Sequence, residues 1–256
     1  MTPPESTAEL QILTTAAQCA ELAQTLADVW GFAERSGVGA PDMLAALAFS
    51  GGYVAGVRVG GRLVGGGYGW PTRIGAEWRL HSHVIGFLPA FRALGLGAQI
   101  KYHQRSWAAD SGLDAVEWTY DPLHAVNARF NLSKLGARVV GFYQNFYGPM
   151  ADAFHTGLPS DRFLVRWGLD DGPRSLPNAT GPLLVCGSDE MPIACATAVG
   201  IVTAEIPADI VELRRRDHHT AVAWSEAFAR TVGPLVAAGC AVLGINDHRE
   251  YLIETS

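Results

Sequence analysis

The sequence predicts an α/β fold, and three observations carry that prediction. Two-residue apolar alternation gives way to helical spacing and returns several times between residues 10 and 169. The pair Gly60-Gly61 separates two strand-like runs, a hairpin signal. A long strand-like run over 77–88 passes through Pro89 into a glycine-bearing turn and then a helical pattern. With 256 residues, 48% of them hydrophobic and 17% charged, the chain can bury a sizeable core as an ordinary globular protein.

Taken in order, residues 10–15 alternate as a short strand, and 16–32 carry Leu22, Leu26, Val29 and Trp30 at helical spacing. Pro41 suits the first turn of a second helix over 41–49. Residues 53–59 and 63–70 are strands on either side of the glycine pair, and 77–88 is a third, longer one. Ile100, His103, Gln104 and Trp107 space a helix over 97–111 that Gly112 ends. A strand over 116–120, a helix over 127–135 stopped by Gly136, and strands over 138–147 and 162–169 complete a first domain, 1–169. Residues 170–182 are rich in Gly, Pro, Asp and Asn and read as a linker or exposed loop. The remainder, 183–256, holds apolar runs near 183–185 and 195–202, a helix over 208–232 and a hairpin ending at Ile253. It is too apolar to float free, so it is expected to pack on the sheet or its helices, with a separate lobe or a homodimer contact as alternatives.

A net charge of −6 argues against a protein that works by neutralising nucleic-acid phosphates or anionic lipid. The opening MTPPESTAEL lacks the basic and apolar regions of a signal peptide, and no uncharged run approaches membrane-spanning length, so a cytoplasmic location is expected. Cys19, Cys186, Cys195 and Cys240 are scattered without a Cys-x-x-Cys pair, which favours core packing over a disulfide frame or a zinc site.

The turn from Phe91 to Ile100 reads FRALGLGAQI. Glycines at 95 and 97 let the backbone pass close to a ligand. The first amides of the helix that follows have no internal partner and lie at the positive end of its dipole, an arrangement that binds anions. A dinucleotide fingerprint starting at Gly95 needs glycine at position 100, where Ile100 stands. A P-loop needs Gly-Lys followed by Ser or Thr, and the chain's lysines are Lys101 and Lys134. What remains is R-x-x-G-x-G/A, with Arg92, Gly95 and Gly97, which resembles the coenzyme A motif of the GNAT superfamily of acyltransferases. A glycine-rich connection that binds nothing is the plain alternative. The run from Asn127 to Gly136 is similar to that family's asparagine-led helix ending in Lys-Leu-Gly, and the order of elements matches over about residues 8–169. HSHVIGFLP, WTYDPLHAVNARFNLSKLG and NFYGPM also look like a less-studied branch of predicted GNAT acetyltransferases.

The resemblance implies a mixed, mostly antiparallel central sheet flanked by helices, with 183–256 as a C-terminal α/β extension that helps wall the acceptor pocket. It implies an N-acyltransferase that takes acetyl-CoA or another short acyl-CoA as co-substrate, uses no metal, and acylates the amino group of a small molecule such as an amino acid. Succinyl transfer and a non-catalytic acyl-CoA sensor are the alternatives. Direct attack on a thioester needs a base, oxyanion donors and an acid for the thiolate. Backbone groups of the strand from Val84 to Leu88, through Ile85, Gly86 and Phe87, are implied as oxyanion and pantetheine partners, splayed by a bulge that the sequence does not locate. Arg92 and the amides of Ala93, Leu94, Gly95, Leu96, Gly97 and Ala98 are implied for the pyrophosphate. Asn127 and Asn131 are implied for the pantetheine arm, with an N-cap as the alternative role of Asn127.

His81 stands where several members of the superfamily carry a base glutamate. Strict alternation puts His81 and His83 on one face with Ile85 and Phe87. A base, a hydrogen-bonded structural pair and a zinc-ligating His-x-His are the competing readings. Glu77 and Glu117 are reserve bases. Many members place a tyrosine acid four positions before the helix-ending glycine, where this chain has Leu132. Tyr143 and Tyr147 are therefore candidates for the acid, while Asn145, Tyr120, Asp121, Trp118 and Ser82 are expected to face substrate; for each tyrosine the alternative is core packing. Arg214-Arg215-Arg216 with His218-His219 reads as a solvated helix face or a clamp for a carboxylate.

Overall fold

A computed structural model describes residues 8–31, 38–92, 94–148, 159–196 and 199–255, and contacts divide the chain into two compact units, Met1–Glu117 and Trp118–Ser256. In the first unit, strand β1 (Ala8–Ile12) leads into helices α1 (Ala16–Trp30) and α2 (Pro41–Phe49). Strands β2 (Tyr53–Val59), β3 (Arg62–Ile74) and β4 (Glu77–Phe87) follow, then helix α3 (Leu96–Asp110) and strand β5 (Ala115–Tyr120), whose start lies in this unit. The strands stand in the order β1-β2-β3-β4-β5, antiparallel except for the parallel pair of β4 with β5. The expected strand over 10–15 is displaced, because Thr15 and Gln18 form a capping box that draws Thr14 and Thr15 into the start of α1. The strand expected over 63–70 continues to Ile74, which pairs with Glu77 across a turn at Gly75, φ +62°.

Two apolar clusters flank the sheet of this unit. One joins α1 and α2 to Val54, Leu63 and Tyr68, with Trp30, Trp70 and Val84 packed on it. The other joins α3, through Leu96 and Ile100, to Val57, Val64 and Phe87, with Ile85 against it. Each cluster buries several large side chains at roughly 1.5–3 kcal/mol apiece. Between these faces β4 carries a bulge. Tyr68 pairs with Val84 and Gly69 with Ser82, so His83 is the extra residue on β4. Strict alternation therefore fails at this point. His81 and His83 do not share a face with Ile85 and Phe87: the bulge sends the latter two to the α3 side along with Ser82, while Val84 joins the α1 side. Gly69 is essential to this geometry, since a Cβ there would run into the carbonyl of His81. Gly69→Val is expected to destabilise the protein by about 1–3 kcal/mol, read as a lowered urea midpoint at unchanged slope.

The second unit begins within β5 and continues through α4 (Ala125–Ala128), which runs on as a π-helix over Arg129–Lys134, to the antiparallel pair β6 (Arg138–Tyr143) and β7 (Arg162–Gly168). The expected strand over 138–147 stops at Tyr143. Asn145 takes φ +48°, and its amide is held by the Asp161 carboxylate, which turns the chain. A second sheet follows, in the order β11-β12-β10-β8-β9, from β8 (Gly181–Cys186), β9 (Pro192–Ala194), β10 (Gly200–Glu205), β11 (Ala241–Ile245) and β12 (Glu250–Thr255). The single helix expected over 208–232 is two, α5 (Ile210–Arg216) and α6 (His218–Ala237). Asp217 separates them because its carboxylate caps the Thr220 amide at 3.0 Å and its backbone is non-helical, φ −149°.

Phe228 of α6 packs on Phe142 and Phe163, and Tyr251 of β12 on Phe163 and Phe228. This aromatic core joins the last strands to β6 and β7, which is why contacts group residues 118–169 with the extension. Among the cysteines, Cys19 alone is in the core; Cys186 is exposed, and Cys195 and Cys240 are partly so. No helix among the described residues is long and apolar enough to cross a membrane.

Candidate functional site

In the first unit the strand-turn-helix from β4 to α3 positions most of the expected residues. A short 3-10 turn, Pro89–Phe91, follows β4, and Gly95 at φ +78° caps α3 in a left-handed conformation with open space where a Cβ would stand. The amides of Leu96 and Gly97 open the helix without an intrahelical partner, whereas those of Ala98 and Gln99 bond to the Gly95 carbonyl. Two open amides at a positive helix end fit a phosphate oxygen. The Leu96 and Ala98 side chains are buried, and Leu94 is exposed. Ala93 lies outside the described residues. Arg92 is exposed and donates to the Phe87 carbonyl at 3.1 Å and the Val29 carbonyl at 3.3 Å, which ties the turn to β4 and α1. Leu88 donates to the Val64 carbonyl. A Cβ at Gly86 would meet the Trp30 ring, so glycine there lets α1 lie close against β4.

On the α1 side of the bulge, His81 and His83 stand with their ring centroids 5.9 Å apart, and both rings pack on Trp70, at 5.1 and 4.9 Å. His83 also meets Tyr68 at 5.6 Å. Neither histidine has a hydrogen-bond partner among the described residues, and His83 Nδ1 is fully buried as well. A hydrogen-bonded structural pair is thus not what these residues make. Burial, with the Lys101 charge adding, holds His81 below its usual value; burial, with His81 adding, does the same to His83. Among the described residues no three His, Cys, Asp or Glu side chains converge on a point. Glu117 is buried and bonded to Arg79 at 2.7 Å; the same guanidinium holds Glu77 at 2.6 Å. Both reserve carboxylates are therefore engaged by one cation.

On the α3 side, Ser82 is buried and accepts from Lys101 Nζ at 2.9 Å. Lys101 is 4% exposed, and burial pushes its ammonium well below the ordinary range. Gln104 lies on the same helix face, fully buried, with neither amide atom bonded. Lys101 and Gln104 had only their helical spacing to mark them in the sequence, where both read as ordinary helix residues.

The second unit holds the other expected residues. Trp118 Nε1 donates to Asn131 Oδ1 at 3.2 Å, and both side chains are buried. Asn127 is exposed in the first turn of α4 and is not its N-cap; His124 fills that position and accepts from the Asn127 amide. Tyr147 bonds Thr119 at 3.1 Å and lies under the Arg162 guanidinium, and Tyr143, Phe146 and Tyr147 form an exposed aromatic cluster. Tyr120 is buried and bonded to Tyr251, which donates to the Pro122 carbonyl, so Tyr120 is a core tyrosine with a satisfied hydroxyl. Burial raises both phenols. Asp121 accepts from Arg214 at 2.6 Å in a nearly dry setting. Burial opposes its charge, but Arg214 and Arg162 outweigh that and hold the carboxyl below its usual range. Of the basic cluster, Arg214 is thus a buried partner of Asp121, while Arg215 and Arg216 pair with Glu212 and Glu190 near the surface.

Four histidines, His81, His83, His103 and His124, are lowered chiefly by burial. Their folded values lie below the unfolded value of about 6.5, so the stability they contribute is present above that pH and is lost as pH falls through the folded values. A urea series is expected to show stability declining as pH falls below about 6.5.

No family model and no curated protein matches the sequence. Solved structures do match. A protein of Desulfovibrio desulfuricans assigned to the GNAT family as an acetyltransferase has 12% identity and a TM-score of 0.50, covering 64% of this chain and 99% of that one. The acetyltransferase of the GNAT family from Streptococcus pneumoniae has 15% identity and a TM-score of 0.50, covering 62% and 98%. An N-acetyltransferase from Staphylococcus aureus Mu50 has 12% identity and a TM-score of 0.50, covering 64% and 100%. At such identities the likeness is one of fold.

Proposed function

We propose, from a chain that has the GNAT acetyltransferase fold, that it is an acyl-CoA-dependent N-acyltransferase. It transfers an acetyl or short acyl group to the amino group of a small molecule, an amino acid or a related amine, by direct attack on the thioester. The observation that carries this reading is the bulge at His83 between an unbonded imidazole, His81, and the open amides that begin α3. Fold alone does not decide function. The site chemistry adds to it. The α3 N-terminus offers a fixed anion cradle for the pyrophosphate, while the bulge re-aims β4 amides that are suited to an oxyanion. His81, half-buried and depressed below its ordinary pKa, is neutral at physiological pH and suits a base for an ammonium substrate. His83 orders the pocket by stacking. Holding donor and acceptor together supplies much of the remaining acceleration.

The test is thiol release. Acetyl-, malonyl- and succinyl-CoA are each incubated with a panel of amino acids, diamines and aminoglycosides, and free thiol is followed. Amine-dependent release from one donor is the expected result. Leu132 in place of a tyrosine favours one rival, a non-catalytic acyl-CoA sensor. Intact donor binding with no release across the panel would replace the enzyme reading by that one.

A further inference from the structure

The departing thiolate needs a proton, and Leu132, buried at 5% exposure, cannot give one. The α3 face of β4 offers a donor already assembled. Lys101 Nζ donates to Ser82 Oγ at 2.9 Å, so the hydroxyl oxygen is occupied as an acceptor while its own hydrogen has no acceptor among the described residues. A buried hydroxyl with an unused donor costs about 1–3 kcal/mol, a cost a ligand atom can remove. Ser82 is the last regularly paired residue before the bulge, beside the amides proposed to hold the thioester oxygen.

The choice of cation points the same way. The chain has 19 Lys plus Arg residues, of which only Lys101 and Lys134 are lysine, and it buries Lys101 at 4% exposure. Arginine makes the better buried ion pair but does not release its proton; a buried lysine does. Gln104, on the same face of α3, is fully buried with both amide atoms unpartnered, a setting that fits a buried water through which Lys101 regains its proton.

We propose that the Ser82 hydroxyl is the acid that protonates the departing thiolate, with the Lys101 ammonium refilling it from behind. This rests on the acyltransferase reading above. The base and the acid then occupy adjacent residues on opposite faces of one strand, His81 toward α1 and Ser82 toward α3. His81 takes one proton from the ammonium and passes it to water; the free amine nitrogen then bonds to the acyl carbon, and its second proton passes to His81. The C–S bond breaks, its electron pair stays on sulfur, and sulfur takes the Ser82 hydroxyl proton as Lys101 passes one to the serine oxygen. Lys101 ends neutral and His81 charged, and exchange with water resets both. Ser82 is the catalytic residue, and Lys101 acts through it.

The experiment compares wild type with Ser82→Ala, Lys101→Met and Lys101→Arg in thiol release from the acyl-CoA that the wild type uses, across a pH series. Acetyl-CoA affinity and far-UV circular dichroism serve as controls. Wild-type kcat is expected to fall at high pH, as Lys101 loses its proton below the usual lysine range. Ser82→Ala and Lys101→Met are each expected to lose about 10²–10³-fold in kcat and that basic limb, with affinity within about twofold of wild type. Lys101→Arg keeps the charge without a transferable proton and is expected to stay low; recovery of wild-type kcat there would overturn the proposal in favour of a purely electrostatic role. If Lys101→Met does not fold, Ser82→Ala with its pH profile decides. Wild-type turnover with Ser82→Ala within twofold of it sinks this proposal alone, whereas no wild-type turnover from any donor sinks it together with the reading beneath it.

Discussion

Substituting His81 by alanine is expected to lower kcat/KM for acyl transfer roughly 10²–10⁴-fold and to flatten its acidic limb, with acetyl-CoA affinity unchanged. In wild type that limb is expected below about pH 6.5, because burial and then the Lys101 charge hold the His81 pKa down, and a base in the proposed role works only when neutral. Lys101→Met removes the second of these causes and should move the limb upward. His83→Ala is the control. Its Nδ1 is buried without a partner, so losing this ring should disturb packing against Tyr68 and Trp70 more than it disturbs the limb. An unchanged acidic limb in a folded His81→Ala protein would remove His81 from the mechanism.

Arg214→Met is expected to cost about 3–5 kcal/mol, because it leaves the Asp121 carboxylate buried beside one fewer cation. Thermal unfolding should fall by roughly 10 °C. The double change Asp121→Leu with Arg214→Met should regain most of the loss, since a buried ion pair replaced by apolar groups is often neutral. The pH dependence follows from the direction of the shift. Asp121 is held below its ordinary value in the folded protein, so its contribution is present above the unfolded value of about 3.9 and is lost as pH falls through the folded one. The gap between wild type and Arg214→Met should therefore narrow below about pH 4. A gap constant down to pH 2.5 would mean that the pair contributes little.

Much of the fold was legible because local signals set it. Pro41 opened α2, the glycine pair turned β2 into β3, and helical spacing with Gly112 bounded α3 to within a residue or so. The turn that opens α3 was legible for the same reason, since a left-handed Gly95 before a helix is a backbone requirement that the residue type reveals. Failures came where side chains compete with the backbone. The Asp217 carboxylate broke one expected helix into two, and the Asp161 carboxylate turned a strand at Asn145. Asp161 is 16 positions from the turn it holds, beyond the reach of any local pattern.

The sequence by itself determined most of the order of strands and helices, the glycine turn that opens α3 and the presence of two histidines before it, because these follow from period, glycine and spacing. Only the tertiary structure decided which side each β4 residue faces. One extra residue, His83, is set by pairing with β3 and by the room that Gly69 leaves, and neither is visible within β4. The same packing buried Lys101 against Ser82, and it gave Arg214 to Asp121 although 93 positions separate them in the chain. Burial and partnership set the charge state of each of these groups, and both are properties of the folded neighbourhood.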